Sequence, residues 1–254
     1  MSEKWRYLIT NNLSAARNMA IDRAVLVANS EGKIPPTVRF YTWSPPAISI
    51  GYFQSLSEEV DLEKCANLGV DYVRRITGGG AVFHEDELTY SIIIHESHPK
   101  IPKNIMDSYA RICGAVMNGL KNLEIESSYA PINDIISGGK KISGNAQTRK
   151  LKTVLQHGTV LIDVDVEKMF SLLRVPNEKI RDKMISDVKQ RVTSIKHLLD
   201  DSVSFDKAAA AMKNGFEEEF NIDLVPGSLT DYELKLTEKF EKECFGNDDW
   251  NHKR

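Results

Sequence analysis

The chain has 254 residues, with 33 Lys and Arg against 36 Asp and Glu and a formal net charge of −3. This near-neutral balance argues against a dedicated nucleic-acid-binding protein, whose binding domain would be basic. Hydrophobic residues make up 41% and charged residues 27%, values that exclude a disordered or fibrous chain. The length allows one large domain, or a large domain with a small appendage.

The cysteines and the apolar runs indicate a reducing, aqueous compartment. Cys65, Cys113 and Cys244 lie far apart and form no C-x-x-C pair, so we expect neither a disulfide framework nor a structural zinc site. The N-terminus lacks the charged-then-apolar plan of a signal peptide. The longest apolar runs fall far below the roughly 18–20 residues that a membrane span needs. We therefore expect a cytoplasmic protein that binds neither nucleic acid nor membranes.

Hydrophobic patterning predicts mixed helices and strands in the first half of the chain. Apolar residues at helical spacing after Ser14 predict a helix over 14–30. Two prolines, which cannot continue a strand ladder, separate predicted strands at 37–43 and 47–53. The next predicted elements are a helix at 57–68, strands at 70–76 and 88–94, and a helix at 105–122.

The second half begins with a glycine-rich bend between strand-like segments at 134–137 and 141–143, which predicts a hairpin or a tight bend. The elements that follow are a strand at 153–163, short helices at 165–173 and 177–185, and longer helices at 204–220 and 229–245. Pro226-Gly227 is the best candidate for a boundary. Because strands and helices do not alternate strictly, we predict an α+β fold with mixed and antiparallel sheets flanked by helices.

A triple glycine preceded by two arginines is the sharpest motif, Arg74-Arg75-Ile76-Thr77-Gly78-Gly79-Gly80-Ala81. Successive glycines let a ligand approach the backbone and present N–H groups to an anion. The arginines add positive charge and bidentate recognition of phosphate or carboxylate. The motif predicts an anion-binding loop, although a strained turn with solvated arginines is the competing interpretation. It matches neither a P-loop nor G-x-G-x-x-G.

A lysine beside the glycine-rich bend is the second candidate, in Gly139-Lys140-Lys141-Ile142-Ser143-Gly144-Asn145-Ala146. An ammonium held there can contact a carboxylate or phosphate, whereas exposed lysines at a hairpin tip are the alternative. Asn133-Asp134 can hold Mg²⁺ or a nucleotide edge, or else begin an Asx turn. His157 interrupts an apolar strand and is either a pocket wall or a satisfied core histidine.

Two stretches rich in histidine and glutamate, 84–87 and 95–98, lack the H-E-x-x-H spacing of a zinc site. Carboxylates without partners are usually exposed, so we expect solvated acidic loops there. No G-x-S-x-G motif is present and no cysteine lies beside these motifs. The sequence therefore shows no evident nucleophile for an acyl-enzyme.

Taken together, the motifs resemble the lipoate–protein ligase A family, which is related to biotin–protein ligases and octanoyltransferases. The matching segments are 74–84, 133–134, 139–146 and 157–161, in that order, and the match extends from 18–22 to 250–251. The resemblance implies a single biotin/lipoate–protein ligase-like catalytic domain over 1–254 that uses ATP and Mg²⁺. Lipoate would be activated as lipoyl-AMP and transferred to a lysine of an apo lipoyl carrier protein, such as an E2 lipoyl domain or a glycine-cleavage H protein.

The resemblance also implies roles for single residues. Lys141 matches the family's essential lysine, and its charge would stabilise the charge that grows as the mixed anhydride forms and breaks. Asp134 is the implied metal ligand. The residues implied to bind lipoyl-AMP are Arg75, Thr77, Gly78, Gly79, Gly80, Ala81, Val82, Phe83, His84, Asn133, Asp134, Gly144, Ala146, His157, Gly158 and Thr159.

Some segments instead look like the cysteine-dependent octanoyltransferase branch, notably 85–91 and 146–149. That branch carries a cysteine shortly after Tyr-Ala-Pro, but here Tyr129-Ala130-Pro131 is followed directly by Ile132. Without a thiolate there, a covalent acyl-enzyme loses its nucleophile, so the main prediction is an ATP-dependent lipoate ligase. The alternative is a transferase that takes an octanoyl or lipoyl group from a carrier protein. A degenerate, non-enzymatic binding protein is disfavoured because Lys141 is retained.

Trp250-Asn251 resembles the junction that leads into a small accessory domain in single-chain ligases, and only three residues follow it here. The accessory domain is therefore expected to be absent from this chain and encoded as a separate partner protein.

Overall fold

The computed structural model describes residues 2–174, 178–201 and 203–254. Its strands are β1 (Glu3–Leu13), β2 (Thr37–Trp43), β3 (Ala47–Ile50), β4 (Asp71–Arg74), β5 (Val82–His84), β6 (Glu87–His95), β7 (Ser128–Ala130), β8 (Asp134–Ser137), β9 (Lys140–Lys150), β10 (Thr153–Leu161) and β11 (Ile222–Pro226). Its helices are α1 (Ala15–Ser30), α2 (Leu56–Glu59), α3 (Leu62–Leu68), α4 (Ile105–Lys121), α5 (Val166–Leu172), α6 (Glu178–Arg191), α7 (Ile195–Leu199), α8 (Phe205–Phe220), α9 (Asp231–Phe240) and α10 (Asp248–Asn251).

The strands form an eight-stranded sheet in the order β11-β1-β2-β6-β10-β9-β8-β7 and a three-stranded sheet in the order β4-β3-β5. β1 runs parallel to both of its neighbours, whereas β2, β6, β10 and β9 are joined by antiparallel pairing. The predicted α+β fold with mixed and antiparallel sheets is confirmed.

The middle of the large sheet is buried on both faces, which explains the continuous apolar run in β6. Because side chains alternate along a strand, Ile92 and Ile94 pack into one core and Ile93 into the other. The first core contains apolar residues of α4 and α8, and the second contains those of α1. Helices therefore cover both faces of the strands that carry the cavity described below.

Several predicted bounds are wrong for local reasons. The strand predicted at 47–53 ends at Ile50, because the chain turns there and Gln54 N–H donates to the Gly51 carbonyl. The helix predicted at 57–68 is two helices, and Asp61 begins the second by capping it. The helix predicted at 229–245 changes to a π-helical turn at Glu241–Phe245.

Local patterning missed β1 and β11, which pair with each other across most of the chain length. β9 extends to Lys150, well beyond the predicted strand at 141–143. The predicted start of a helix at residue 177 lies outside the described residues. None of the described helices is both long and apolar enough to cross a membrane.

Candidate active site

A cavity of about 190 Å³ is lined by residues from both sheets. Most of the predicted site residues line it, although they come from segments far apart in the sequence. These are Arg75, Gly79, Gly80, Ala81, Val82, His84, Asn133, Lys141, Gly144, Ala146, His157, Gly158 and Thr159. The lining also contains residues to which the sequence analysis assigned no role, namely Met19, Tyr41, Trp43, Ser49, Thr89 and Asn145.

Four predicted residues lie outside the lining. The Thr77 hydroxyl hydrogen-bonds His157 at 2.7 Å, and the Gly78 carbonyl accepts from Arg75 at 3.0 Å. Phe83 lies in a separate cleft. Asp134 forms an ion pair with Lys141 beside the cavity. Thr77, Gly78 and Asp134 thus contact lining residues, whereas Phe83 does not share this cavity.

Lys141 reaches the cavity because Gly144 has no side chain. A Cβ atom at Gly144 would lie 2.8 Å from the Lys141 Nζ atom, so a side chain there would displace the ammonium from its present position. The ammonium donates to Asp134 Oδ1 at 2.7 Å, and both side chains remain partly exposed. Such an exposed pair contributes only about 0–1 kcal/mol of stability, so its main effect is to orient the ammonium.

Arg75 supports the triple-glycine loop from inside the protein. Its Nη2 atom donates to the carbonyls of Gly78 and Gly80, and its Nη1 atom donates to the carbonyl and the hydroxyl of Ser49. Burial lowers the pKa of Arg75 to about 10, so the guanidinium remains charged at neutral pH. The competing interpretation of a solvated arginine does not hold for Arg75, because protein oxygens accept from its terminal N–H groups. Its predicted role in binding the acyl and phosphate groups stays a prediction, and Arg75 does line the cavity.

Arg74 also differs from the predicted anion-binding role. Its side chain is fully buried and donates to the carbonyls of Gly51, Tyr52 and Gln54. It also donates to the carbonyls of the two residues of the Trp250-Asn251 motif. Arg74 therefore joins the loop after β3 to α10 and does not line the cavity.

His157 is both a cavity wall and a satisfied core histidine. Its Nδ1 atom lies 3.3 Å from Asp22 Oδ2, and Asp22 also accepts hydrogen bonds from Arg39, Tyr41 and Ser91. Burial lowers the pKa of His157, although Asp22 opposes the shift. Burial alone would raise the pKa of Asp22, but Arg39 and His157 outweigh it and the pKa is lowered. The site therefore contains a neutral imidazole hydrogen-bonded to a carboxylate.

The segment 84–87 is not the solvated acidic loop that the sequence predicts. His84 and Glu87 are 4% and 3% exposed, and His84 Nδ1 lies 2.6 Å from Glu87 Oε1. The pair is buried because β5 and β6 bring it beneath Trp43, whose ring stacks on the imidazole with centroids 4.0 Å apart. Composition alone could not distinguish this pair from the half-buried Glu85 and the exposed Asp86 between them.

The three cysteines lie away from the cavity. All are buried, and burial raises the pKa of Cys65 to about 11 and that of Cys113 to about 12. Burial also raises the pKa of Cys244. None of them lines the cavity. Within the described residues, no group of three or more His, Cys, Asp and Glu side chains could hold a metal ion.

Residues 14–217 match the model of the lipoyl protein ligase A/B catalytic domain, and the chain belongs to that family of enzymes. The octanoyltransferase LipM of Brevibacillus brevis is 38% identical to this chain, and the match covers 99% of this chain and 100% of the LipM chain. The octanoyltransferase LipM of Clostridioides difficile is also 38% identical, with 99% of each chain covered. The structure of a bi-partite lipoate protein ligase from Thermoplasma acidophilum, described with its E2 lipoyl domain, has a TM-score of 0.90 and 29% identity. It covers 98% of this chain and 96% of that one.

These comparisons confirm the predicted family and the ligase-like fold, but they overturn the predicted reaction. Relatives that match the full chain at 38% identity are octanoyltransferases, so the prediction of an ATP-dependent lipoate ligase is wrong. A transferase moves an acyl group that is already activated, and therefore the predicted ATP and Mg²⁺ are withdrawn with the ligase reaction. Asp134, the predicted metal ligand, pairs with Lys141 instead.

Proposed function

We propose that this chain transfers an octanoyl group from a carrier-protein thioester to a lysine of a lipoyl-domain protein, without ATP. The observation that carries the proposal is the full-length similarity to octanoyltransferases of 38% identity. The acceptor follows from the family, whose members modify lysines of lipoyl domains. An accessory-domain protein would support adenylation, so it has no part in this proposal.

The cavity supports the proposal by its size and lining. Its volume of about 190 Å³ exceeds the roughly 150 Å³ of a cavity that holds benzene, so a medium-length acyl chain is a suitable ligand. Met19, Trp43 and Val82 supply apolar surface for the chain. Lys141 supplies a positive charge, which stabilises the oxyanion that forms when a thioester carbonyl is attacked.

The test is an assay with octanoyl carrier protein, an apo lipoyl domain and no nucleotide. We expect the lipoyl domain to gain the mass of one octanoyl group on a lysine. Lys141→Ala should lower the transfer rate by about 10²–10³-fold, the usual loss when one oxyanion-stabilising donor is removed. Lys140→Ala is the matched control, because Lys140 does not line the cavity. Labelling only from free octanoate with ATP, and none from the thioester, would contradict the proposal.

A further inference from the structure

Ser49, His84 and Glu87 form a hydrogen-bonded chain at the wall of the cavity. Ser49 Oγ lies 2.6 Å from His84 Nε2, and His84 Nδ1 lies 2.6 Å from Glu87 Oε1. Strand pairing produces this contact: Ser49 is opposite Val82 in β5, so His84 is its diagonal neighbour on the same face. All three residues are buried, and Ser49 and His84 line the cavity.

The hydrogen bonds indicate which atoms of Ser49, His84 and Glu87 carry protons. The 2.6 Å contact fits a tautomer in which His84 Nδ1 carries a hydrogen and donates it to a Glu87 carboxylate, which can only accept. In the neutral imidazole Nε2 is then an acceptor, and the Ser49 hydroxyl donates to it. A nucleophile, a general base and a carboxylate that orients the base are thus joined in the order that serine acyltransfer enzymes require.

Contacts from Arg75 and Trp43 suit the three hydrogen-bonded side chains to acyl transfer. Arg75 Nη1 donates to Ser49 Oγ at 2.7 Å, so a fixed positive charge stabilises the alkoxide that forms on deprotonation. Trp43 stacks on the imidazole and donates to Thr89, whose hydroxyl donates to Glu87. These contacts hold the base in place. Glu87 Oε2 accepts no hydrogen bond from any described group, so the carboxylate contacts His84 and Thr89 through Oε1 alone.

Resting on the proposed transferase function, we infer that Ser49 is the nucleophile that carries the acyl group as an ester between donor and acceptor. The cysteines and Thr77 do not meet the same conditions. The cysteines lie outside the cavity lining. Thr77 contacts His157 in a similar way, but Thr77 does not line the cavity and Asp22 is shared with Arg39, Tyr41 and Ser91.

The reaction has two balanced steps. In the first, Ser49 Oγ gives its proton to His84 Nε2 and attacks the thioester carbonyl. The carbon–sulfur bond breaks, and the carrier thiol leaves with the proton from His84. In the second, the acceptor lysine amine attacks the ester while His84 takes a proton from that amine. The carbon–oxygen bond breaks, Ser49 Oγ recovers the proton, and an amide is formed.

The test is an acid-quenched reaction of the wild-type protein with octanoyl carrier protein in the absence of the lipoyl domain. We expect a protein adduct of one octanoyl group, located on Ser49 by peptide mass spectrometry and stable to neutral hydroxylamine. Ser49→Ala should form no adduct, and its transfer rate should be at least about 10³-fold lower than that of wild type. Ser49→Cys should form an adduct that neutral hydroxylamine releases, because a thioester is more labile than an ester. Glu87→Gln should slow adduct formation by about 10³–10⁴-fold with Ser49 still present.

Ser57→Ala is the matched control, because Ser57 is exposed on α2 outside the cavity lining, and it should behave as wild type. Transfer by Ser49→Ala at the wild-type rate would overturn the inference and leave the transferase proposal standing. An adduct on Lys141, or transfer by the wild type with no adduct at all, would also overturn it. Failure of the wild type to transfer from the thioester would instead reject the proposed function, and the inference with it. If Ser49→Ala does not fold, Ser49→Cys and Glu87→Gln decide the outcome.

Discussion

His157 and Asp22 share a hydrogen bond in the interior, where the charge of each side chain depends on its surroundings. Asp22 accepts from the fully buried Arg39 at 2.8 Å, and this ion pair favours the carboxylate. His157 has no second anion among its hydrogen-bond partners, and burial disfavours its charged form. The neutral histidine can therefore accept from Thr77 while it donates to Asp22.

The lowered pKa of His157 predicts a loss of stability in mild acid. The unfolded chain binds a proton at the ordinary pKa of 6.5, whereas the folded chain resists it. The stabilisation is thus present above pH 6.5 and is lost as the pH falls toward the folded-state pKa. In that window, each unit by which the pH falls lowers the contribution of His157 to the free energy of unfolding by up to about 1.4 kcal/mol. Urea titrations at pH 7 and pH 5 measure how far the free energy of unfolding falls between the two pH values. This fall should be smaller for His157→Gln than for wild type. The control, His252→Gln at an exposed position, should show the same fall as wild type.

At the scale of elements, the end of β3 and the triple-glycine loop are in backbone contact. A Cβ atom at Gly51 would lie 2.0 Å from the Gly79 carbonyl oxygen, and Gly79 itself has φ +99°. Tyr52 N–H also donates to the Thr77 carbonyl at 2.8 Å. Glycine at position 51 therefore allows the loop to lie against β3, where Arg75 can reach Ser49.

This contact predicts effects of different size on stability for two alanine substitutions. Gly51→Ala forces two backbone segments apart and should lower the free energy of unfolding by about 1–3 kcal/mol. Gly78→Ala should change it by less than about 1 kcal/mol, because a Cβ atom there meets nothing within 4 Å. Thermal and urea denaturation measure both changes. Equal destabilisation by the two variants would contradict the close approach at Gly51.

Across the whole molecule, segments from the two ends of the chain close one edge of the large sheet. β1 pairs with β11, and Arg6 of β1 forms a buried ion pair with Glu233 of α9. Glu233 accepts from Arg6 through both carboxylate oxygens and also caps α9 with Thr230. Its pKa is lowered, since the opposing effect of burial is outweighed by Arg6 and the Thr230 backbone N–H.

Removing this carboxylate should destabilise the protein strongly. Glu233→Ala leaves the Arg6 guanidinium buried without its counter-charge, which costs about 3–5 kcal/mol. Glu238→Ala, on the exposed side of the same helix, should change the free energy of unfolding by less than about 0.5 kcal/mol. Chemical denaturation compares the two variants. A loss below about 1 kcal/mol for Glu233→Ala would show that the pair does not hold the two ends together.

Sequence reasoning succeeded where the signal is local and failed where it depends on contacts between distant segments. The motifs containing Arg75, Lys141 and His157 led to most of the cavity lining. Asp22 and Ser49 carry no local mark of a site, since one lies within a helix and the other within a short buried strand. The absence of a cysteine after Pro131 favours a ligase, whereas the similarity of the full chain to octanoyltransferases indicates a transferase.

The sequence by itself determined the α+β class, the family and the glycine-rich segments, because periodicity and motif order are properties of neighbouring residues. Only the tertiary structure decided that Arg74 is a structural residue and that His84 and Glu87 are buried. It also decided that Ser49 meets His84 at the cavity wall. The reason is that burial and hydrogen bonding depend on which strands pair. β3 pairs with β5 across more than thirty intervening residues, which include α2, α3 and β4, and that pairing follows from the packing of the whole chain.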